Sequence, residues 1–179
     1  MKNKKIIYSL IAIIIVAGAL YLAFNKNDKD TQYGIVDKGV EIALEEKSPD
    51  FILQDLKKND VRLSDYQGKV VWINFWASWC QFCDLEMPDL QRLSDENDDF
   101  VLLAVNVNEG REIAEKYIEE GGYTFDVLLD EDGEVSTHYL VGGLPANYFI
   151  DKDGNFLGRI EGMLTYEQMN EVLESLRTY

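Results

Sequence analysis

The amino-acid sequence predicts an α/β fold in which a central mixed β-sheet is flanked by helices and preceded by one N-terminal transmembrane helix. Three observations lead to this expectation. A run of 19 residues near the N-terminus carries no charged side chain. Beyond it, short apolar runs rich in β-branched residues alternate with helical patterns, as in layered α/β proteins. Near the C-terminus, two apolar runs flank an Asp-Gly turn, which indicates an antiparallel hairpin.

The uncharged run, residues 6–24, has the length and composition of a membrane span. As a helix it would extend about 29 Å, close to the thickness of a bilayer's hydrocarbon core. Residues 1–5 hold three lysines and are expected in the cytoplasm, so the rest of the chain would be exported. Small residues at 17–19 resemble a signal-peptidase site, but the apolar run continues to Phe24, which favours a retained anchor over a cleaved signal.

The exported part is strongly acidic. It has 14 Lys and Arg against 33 Asp and Glu, a net charge of −19. This balance argues against binding nucleic acid, because phosphate contacts need a basic face. Residues 25–47 are polar and are expected to form a tether, although Val40–Leu44 fits either a short strand or a helical turn. The folded domain is expected at 48–179.

The elements of this domain follow from local patterns. The apolar run at 70–75 is rich in residues that favour strands and is typical of a strand buried on both faces. A helical pattern follows it. Pro88 should kink the first helix. The predicted elements are, in order, a strand at 70–75, a helix from about Cys80, a strand at 101–105, an exposed helix at 109–120 closed by Gly121-Gly122, and a strand at 125–129.

The C-terminal segment is predicted to be a hairpin followed by a helix. The hairpin strands are 147–150 and 156–160, and the helix spans 166–177. Thr165 is the expected N-cap, with Gln168 completing a capping box. An apolar stripe at helical spacing should face the core; its members are Met169, Val172, Leu173 and Leu176.

Cys80 and Cys83 are the only cysteines of the chain, and they lie where a predicted strand passes into a helix. Two intervening residues in a first helical turn bring the sulfurs close enough to bond. The free N–H groups and the dipole at the helix start favour a thiolate at Cys80, whereas Cys83 lies one turn deeper. We therefore expect Cys80 to be the attacking thiolate and Cys83 the resolving thiol.

Two other interpretations of the cysteine pair are weaker. A static disulfide closing so short a loop would stabilise the domain little. A zinc site needs further thiolate or imidazole ligands, and His138 is the only histidine. The pattern favours redox chemistry at Cys80 and Cys83 that needs no metal and no organic cofactor.

The stretch from Trp72 to Pro88 resembles the active-site region of thioredoxin-like proteins, and Leu144-Pro145 resembles the cis-proline that faces the cysteine pair in that fold. Residues 48–179 as a whole resemble the membrane-anchored ResA/TlpA-type thiol-disulfide oxidoreductases. The motifs that carry this second resemblance are Ser48-Pro49-Asp50-Phe51, Asn74 to Cys80, Glu86-Met87-Pro88, Gly143-Leu144-Pro145 and Phe149 to Gly154.

The resemblance implies a thioredoxin-like fold and a role for four residues at its site. Cys80 matches the nucleophile and Cys83 the resolving cysteine. Pro145 matches the cis-proline, which keeps the sulfurs from binding metal and leaves a backbone edge for substrate. Glu86 matches an acidic residue that tunes the thiol pKa values or receives the Cys83 proton, and its burial is the deciding feature. Thioredoxin has a buried Asp at the position of Asn74, which cannot take up a proton as a carboxylate does.

Three side chains are candidates for contacting substrate: Trp79, Phe82 and Leu144. Trp79 is expected to shield the disulfide and Phe82 to offer an exposed apolar contact. Phe82 stands where the family commonly has proline, which leaves the direction of electron flow open. Ala146-Asn147 stands where the family often has two hydroxyl residues.

The resemblance implies an extracytoplasmic enzyme that reduces disulfides of exported proteins, such as apocytochrome c before haem attachment. A membrane electron-transfer partner would supply the electrons. A disulfide-forming oxidase remains an alternative. A copper-binding chaperone module, using His138 with both cysteines, is the alternative of another class. Copper chaperones of that type have three residues between their cysteines, whereas only two separate Cys80 from Cys83, which disfavours this alternative.

Overall fold

The computed structural model of the protein describes residues 34–36, 40–42 and 46–179. Gly34–Tyr179 cluster as one compact unit. The predicted membrane span at 6–24 lies outside the described residues. Among those that are described, no helix combines the length and the apolar composition needed to cross a bilayer.

Within the described ranges, the strands form a single nine-stranded mixed sheet, and the mixed sheet predicted from the sequence is confirmed. The strands are β1 (Gly34–Val36), β2 (Val40–Ile42), β3 (Ile52–Asp55), β4 (Asp60–Arg62), β5 (Val70–Trp76), β6 (Phe100–Val107), β7 (Asp126–Asp130), β8 (Ala146–Ile150) and β9 (Phe156–Glu161). Their order across the sheet is β1-β2-β9-β8-β5-β6-β7-β3-β4. Strands β5, β6 and β7 run parallel, whereas β8 is antiparallel to both β5 and β9.

The segment predicted as a tether contributes two strands to this sheet. Strands β1 and β2 pair with each other, and Glu41 of β2 pairs with Arg159 of β9. The undecided region around Val40 is therefore a strand, and the domain begins earlier than residue 48. Three-residue strands are too short for periodicity to reveal, while the exposed edge of β9 offers free backbone groups for β2 to pair with.

The helices of the described chain are α1 (Gln81–Glu96), α2 (Arg111–Gly121), α3 (Glu134–His138) and α4 (Tyr166–Leu176), with a 3-10 helix at Leu63–Tyr66. The capping box of Thr165 and Gln168 on α4 is confirmed. Gly122 closes α2 in the left-handed conformation, with φ at 69°. Helix α2 begins two residues later than predicted, because Gly110 is its N-cap and Glu109 precedes the helix.

Strand β5 is buried along its whole length, as predicted. Its side chains alternate between two cores, one on each face of the sheet. Trp72 and Trp76 pack with α1, α2 and α4, whereas Ile73 and Phe75 pack on the opposite face. Asn74 lies between the two tryptophans in the alternation and so shares the face that α1 covers. This register places an amide beneath the helix that carries both cysteines.

Candidate active site

The two cysteines form a disulfide at the start of α1, directly after β5. Cys80 is the N-cap of the helix, and its Sγ accepts a hydrogen bond from the backbone N–H of Cys83 at 3.2 Å. A donor aimed at this sulfur favours the thiolate when the pair is reduced. Cys80 is 6% exposed and Cys83 only 1%. Both residues are buried, and Cys83 is the less exposed of the two, in the predicted direction.

The Leu144–Pro145 peptide bond is cis, as the resemblance implies. It immediately precedes β8, and Ala146 of that strand pairs with Phe75 of β5. The sheet therefore holds the cis-proline at the same end of β5 from which the chain enters the cysteine pair. Leu144 is half-buried and packs against both cores.

Glu86 is almost completely buried, with 1% of its surface exposed. It lies one helical turn after Cys83, on the same face of α1. Its Oε1 accepts hydrogen bonds from the backbone N–H of Leu164 at 3.1 Å and from Nδ2 of Asn147 at 3.2 Å. Its Oε2 accepts from Nδ2 of Asn74 at 3.3 Å. The burial on which its proposed role depends is thus observed.

Burial raises the pKa of Glu86 to about 7. The hydrogen bonds from Leu164, Asn147 and Asn74 oppose that rise because they favour the carboxylate, and the negative charge of Asp89 adds to it. A carboxyl group that titrates near neutrality can exchange a proton with a thiol at physiological pH. Asn74 cannot do this, so within this cluster the ionisable group is Glu86.

A second buried carboxylate supports the loop that leads into the cysteine pair. Glu109 is 8% exposed. It accepts hydrogen bonds from the backbone N–H of Ser78 at 2.7 Å, from the Ser78 hydroxyl at 2.5 Å and from Nδ2 of Asn106 at 2.8 Å. Ser78 stands two residues before Cys80, so Glu109 anchors the loop that leads to this cysteine. Glu109 was not among the predicted site residues, because its position was predicted to be the first turn of α2.

The surface next to the disulfide is apolar. Trp79 is 71% exposed and Phe82 60% exposed, so both side chains are accessible to a substrate. Leu85, one turn after Phe82, is 57% exposed, although its neighbours Leu90 and Leu93 are buried in the core. Exposed apolar groups on neighbouring turns of one helix are typical of an interaction surface. We call Trp79, Phe82 and Leu85 the apolar rim.

The alternative copper site would need His138 beside the two cysteines. His138 is exposed at the end of α3. Over the described part of the chain, no group of three or more His, Cys, Asp or Glu side chains could hold a metal ion.

The hydrogen-bonding roles of Asn147 and Glu109 were missed because both contacts join distant parts of the chain. Asn147 is 61 residues from Glu86, and Glu109 is 31 residues from Ser78. A weak signal existed for each. An asparagine in a strand buried between others needs polar partners, and an acidic residue directly after a buried strand lies at the edge of the sheet where α/β sites form.

A redox disulfide at a strand-to-helix junction, with a cis-proline and a buried acid beside it, defines a protein-disulfide oxidoreductase with a thioredoxin-like fold. Comparison with known proteins agrees. A model of the AhpC/TSA family matches residues 44–157. The chain belongs to this family and, within it, to the ResA-type thiol-disulfide oxidoreductases.

Individual relatives support this assignment. Thiol-disulfide oxidoreductase ResA of Geobacillus kaustophilus is 41% identical over 138 residues, which cover 76% of this chain and 79% of that protein. The ResA of Bacillus cereus is 28% identical over 178 residues, covering 98% of this chain and 99% of its own. A solved structure from Chlorobium tepidum, assigned as a thiol:disulfide interchange protein DsbE, has a TM-score of 0.67 and 31% identity, covering 73% of this chain and 96% of that one.

Proposed function

We propose that this oxidoreductase is a reductase of the extracytoplasmic face of the cytoplasmic membrane. It is anchored by residues 6–24 and reduces disulfides in exported proteins, with apocytochrome c as the first candidate substrate. A membrane electron-transfer partner returns Cys80 and Cys83 to the dithiol state. The relatives support the thiol-disulfide chemistry; the direction, the substrate and the location are our proposal.

The charge around the cysteine pair carries the proposed direction. No basic residue occurs between Lys69 and Arg92, whereas this stretch holds Asp84, Glu86 and Asp89. A cation beside a Cys-X-X-Cys pair stabilises the thiolate and makes the disulfide more oxidising. A neighbouring carboxylate has the opposite effect, because it disfavours a second negative charge. The local charge therefore supports a stable disulfide and a reducing dithiol.

The reaction follows from the difference in shielding between the two cysteines. The Cys80 thiolate attacks one sulfur of the substrate disulfide, forming a mixed disulfide and releasing the other substrate sulfur as a thiolate, which takes up a proton. Cys83 gives its proton to the Glu86 carboxylate and attacks the Cys80 sulfur. The second substrate sulfur leaves as a thiolate and is protonated. Two electrons have then passed to the substrate, and the Cys80–Cys83 disulfide has formed.

The direction is tested by the reduction potential of the full-length chain, equilibrated in thiol buffers of defined potential. A value of about −250 mV or lower, near that of thioredoxin, supports the reductase. A value of about −120 mV, near that of a strong disulfide donor, would establish the oxidase instead.

The substrate is tested by trapping. Cys83→Ser removes the resolving thiol, so Cys80 should remain in a mixed disulfide with its substrate, whereas Cys80→Ser is the matched control that should trap nothing. The probe is a peptide with the Cys-X-X-Cys-His motif of c-type haem attachment, supplied as its disulfide. Failure to trap it, with a low potential retained, would reject apocytochrome c but not the reductase. Protease added to intact protoplasts should degrade the domain if it is exported.

A further inference from the structure

Four buried side chains form a continuous hydrogen-bonded chain beneath the cysteine pair. Nε1 of Trp72 donates to Oδ1 of Asn147 at 2.8 Å, and Nδ2 of Asn74 donates to the same oxygen at 2.9 Å. Asn147 and Asn74 each donate from Nδ2 to the carboxylate of Glu86. All four residues are 1% exposed or less. Bulk solvent therefore does not reach these hydrogen bonds.

The orientation of both amides follows from the indole. An indole nitrogen only donates, so the Asn147 atom that faces Trp72 must be the oxygen. The nitrogen of the same amide then points to Glu86. Because the oxygen of Asn147 also faces Asn74, the nearer atom of Asn74 must be its nitrogen. One N–H group on Trp72 thus determines the orientation of two side-chain amides in sequence.

The orientation imposed on Asn74 leaves one of its side-chain atoms without a hydrogen bond. Among the described residues, Oδ1 of Asn74 has no hydrogen-bond partner although it is buried. An unpaired buried carbonyl oxygen is unfavourable. Turning the Asn74 amide over would bring this oxygen against Oδ1 of Asn147 and Oε2 of Glu86, both acceptors while Glu86 is ionised. The observed orientation, which leaves Oδ1 of Asn74 unpaired, is therefore less unfavourable than the turned-over one.

We propose that Trp72 and Asn147 are positioning residues of the redox site, which orient the amides so that Glu86 meets N–H donors and is kept as a proton-accepting carboxylate. Neither residue touches the cysteines in this role; both act through Glu86. Their effect on disulfide exchange rests on the proton transfer from Cys83 to Glu86 proposed above. The orientation of the amides does not depend on that proposal.

The other groups that act on Glu86 are few in the described structure. On α1, Asp89 contributes a negative charge, and the cysteine pair lies one turn earlier. From β5 and β8 the facing groups are the neutral amides and the indole, and from the loop before α4 it is the backbone N–H of Leu164. Asp89 is itself held by the backbone N–H of Tyr166. Removing the indole N–H changes neither the charge of Asp89 nor the hydrogen bond from Leu164, so its effect on Glu86 must pass through the two amides.

The test is Trp72→Phe, which removes the N–H and retains an aromatic ring. Its matched control is Trp76→Phe, on the same strand and equally buried, since the described structure gives the Trp76 N–H no hydrogen-bond partner. The pKa of Glu86 is measured by carbon-13 NMR of its carboxyl in the full-length disulfide form. Once the indole is gone, both amides can turn their oxygens toward Glu86, which favours the protonated form. We expect Trp72→Phe to raise the pKa by about one pH unit, the effect of losing a charge-assisted hydrogen bond, and Trp76→Phe to leave it unchanged.

Asn147→Leu supplies a second, independent variant and should raise the pKa of Glu86 at least as far. Because Trp72 acts only through Asn147, the double variant should show the pKa of Asn147→Leu alone. An unchanged pKa in Trp72→Phe, or shifts that add in the double variant, would overturn the proposal. The pH profile of disulfide exchange should move upward with the pKa in both single variants. If the pKa moves but the profile does not, the orientation is confirmed and the proton role of Glu86 fails.

Discussion

The carboxylate of Glu109 holds both the backbone N–H and the hydroxyl of Ser78, two residues before Cys80. This contact joins the end of β6 to the loop that follows β5. Neighbouring parallel strands end side by side, so an acid after one strand can support the loop after the other. The loop before Cys80 is therefore held in place by a buried side chain from another part of the chain, and its conformation does not depend on the loop sequence alone.

Glu109→Ala should destabilise the protein by about 2–4 kcal/mol, because it leaves the partly buried N–H and hydroxyl of Ser78 and the buried Asn106 amide unpaired. Amide hydrogen exchange should accelerate at residues 78–80 more than in the rest of the sheet. The matched control is Glu112→Ala, an exposed acid in the first turn of α2, which should change the free energy of unfolding by less than about 0.5 kcal/mol. Equal effects from both substitutions would contradict the anchoring role.

Glu86 should make stability depend on pH in a defined window. Its pKa is about 7 in the folded protein and 4.5 in the reference state, so the folded state binds the proton more tightly. The resulting stabilisation is complete below pH 4.5 and is lost as the pH rises through 7. The size is about 3 kcal/mol, from a shift of between two and three pH units.

The measurement compares urea unfolding of the disulfide form with that of Glu86→Gln across this range. The difference between the two free energies of unfolding should change by about 3 kcal/mol from acid to neutral pH, because the native protein becomes less stable relative to Glu86→Gln as the pH rises. Glu167→Gln, which neutralises a solvent-exposed acid in the first turn of α4, is the control. A constant difference between the native protein and Glu86→Gln would show that Glu86 titrates normally.

The apolar rim should contribute to affinity for protein substrates. Trp79→Ala removes a side chain that is 71% exposed, and the apolar area that it could bury on binding corresponds to about 1–3 kcal/mol, or roughly 5- to 150-fold in KM. Ile52→Ala is the control, because Ile52 is 49% exposed on β3, which is separated from β5 by β6 and β7. Initial rates with a disulfide peptide distinguish the two. The same KM in both variants would remove Trp79 from the binding surface.

Local signals were sufficient for much of this structure. The apolar run of β5, the Asp-Gly hairpin of β8 and β9 and the capping box at Thr165 are each encoded within a few residues, and each was predicted. The cysteine pair and the cis-proline followed from motifs. Strand β2 was left undecided between a strand and a helical turn, because its three residues are held by pairing with β1 and β9 and carry no local pattern of their own.

The polar half of the site could not be derived in the same way. Glu86 was a candidate from the resemblance, but its burial depends on Leu164, 78 residues away, and on Asn147 in a different strand. Sequence spacing carries no information about which distant amide will face a carboxylate. Leu85 is the opposite case, an apolar side chain that is exposed. The helical pattern of apolar residues does not reveal which of them remains exposed beside a site.

Asn74→Asp offers a final test of the network, because it puts a carboxyl oxygen in place of the Asn74 Nδ2, which lies 2.9 Å from Oδ1 of Asn147 and 3.3 Å from Oε2 of Glu86. Trp72 holds the Asn147 oxygen in place, so the new group can satisfy that acceptor only by keeping a proton. Two carboxyl groups so close also cannot both ionise easily, and their titrations become coupled. The last proton of the pair should therefore leave at least about one pH unit above the pKa of Glu86 in the native protein. Carbon-13 NMR of the carboxyl carbons measures both steps, with Asn97→Asp at the end of α1 as the control that leaves Glu86 unshifted. Two independent titrations at ordinary carboxyl pKa values would mean that the Asn147 amide is free to turn, and that Trp72 does not determine its orientation.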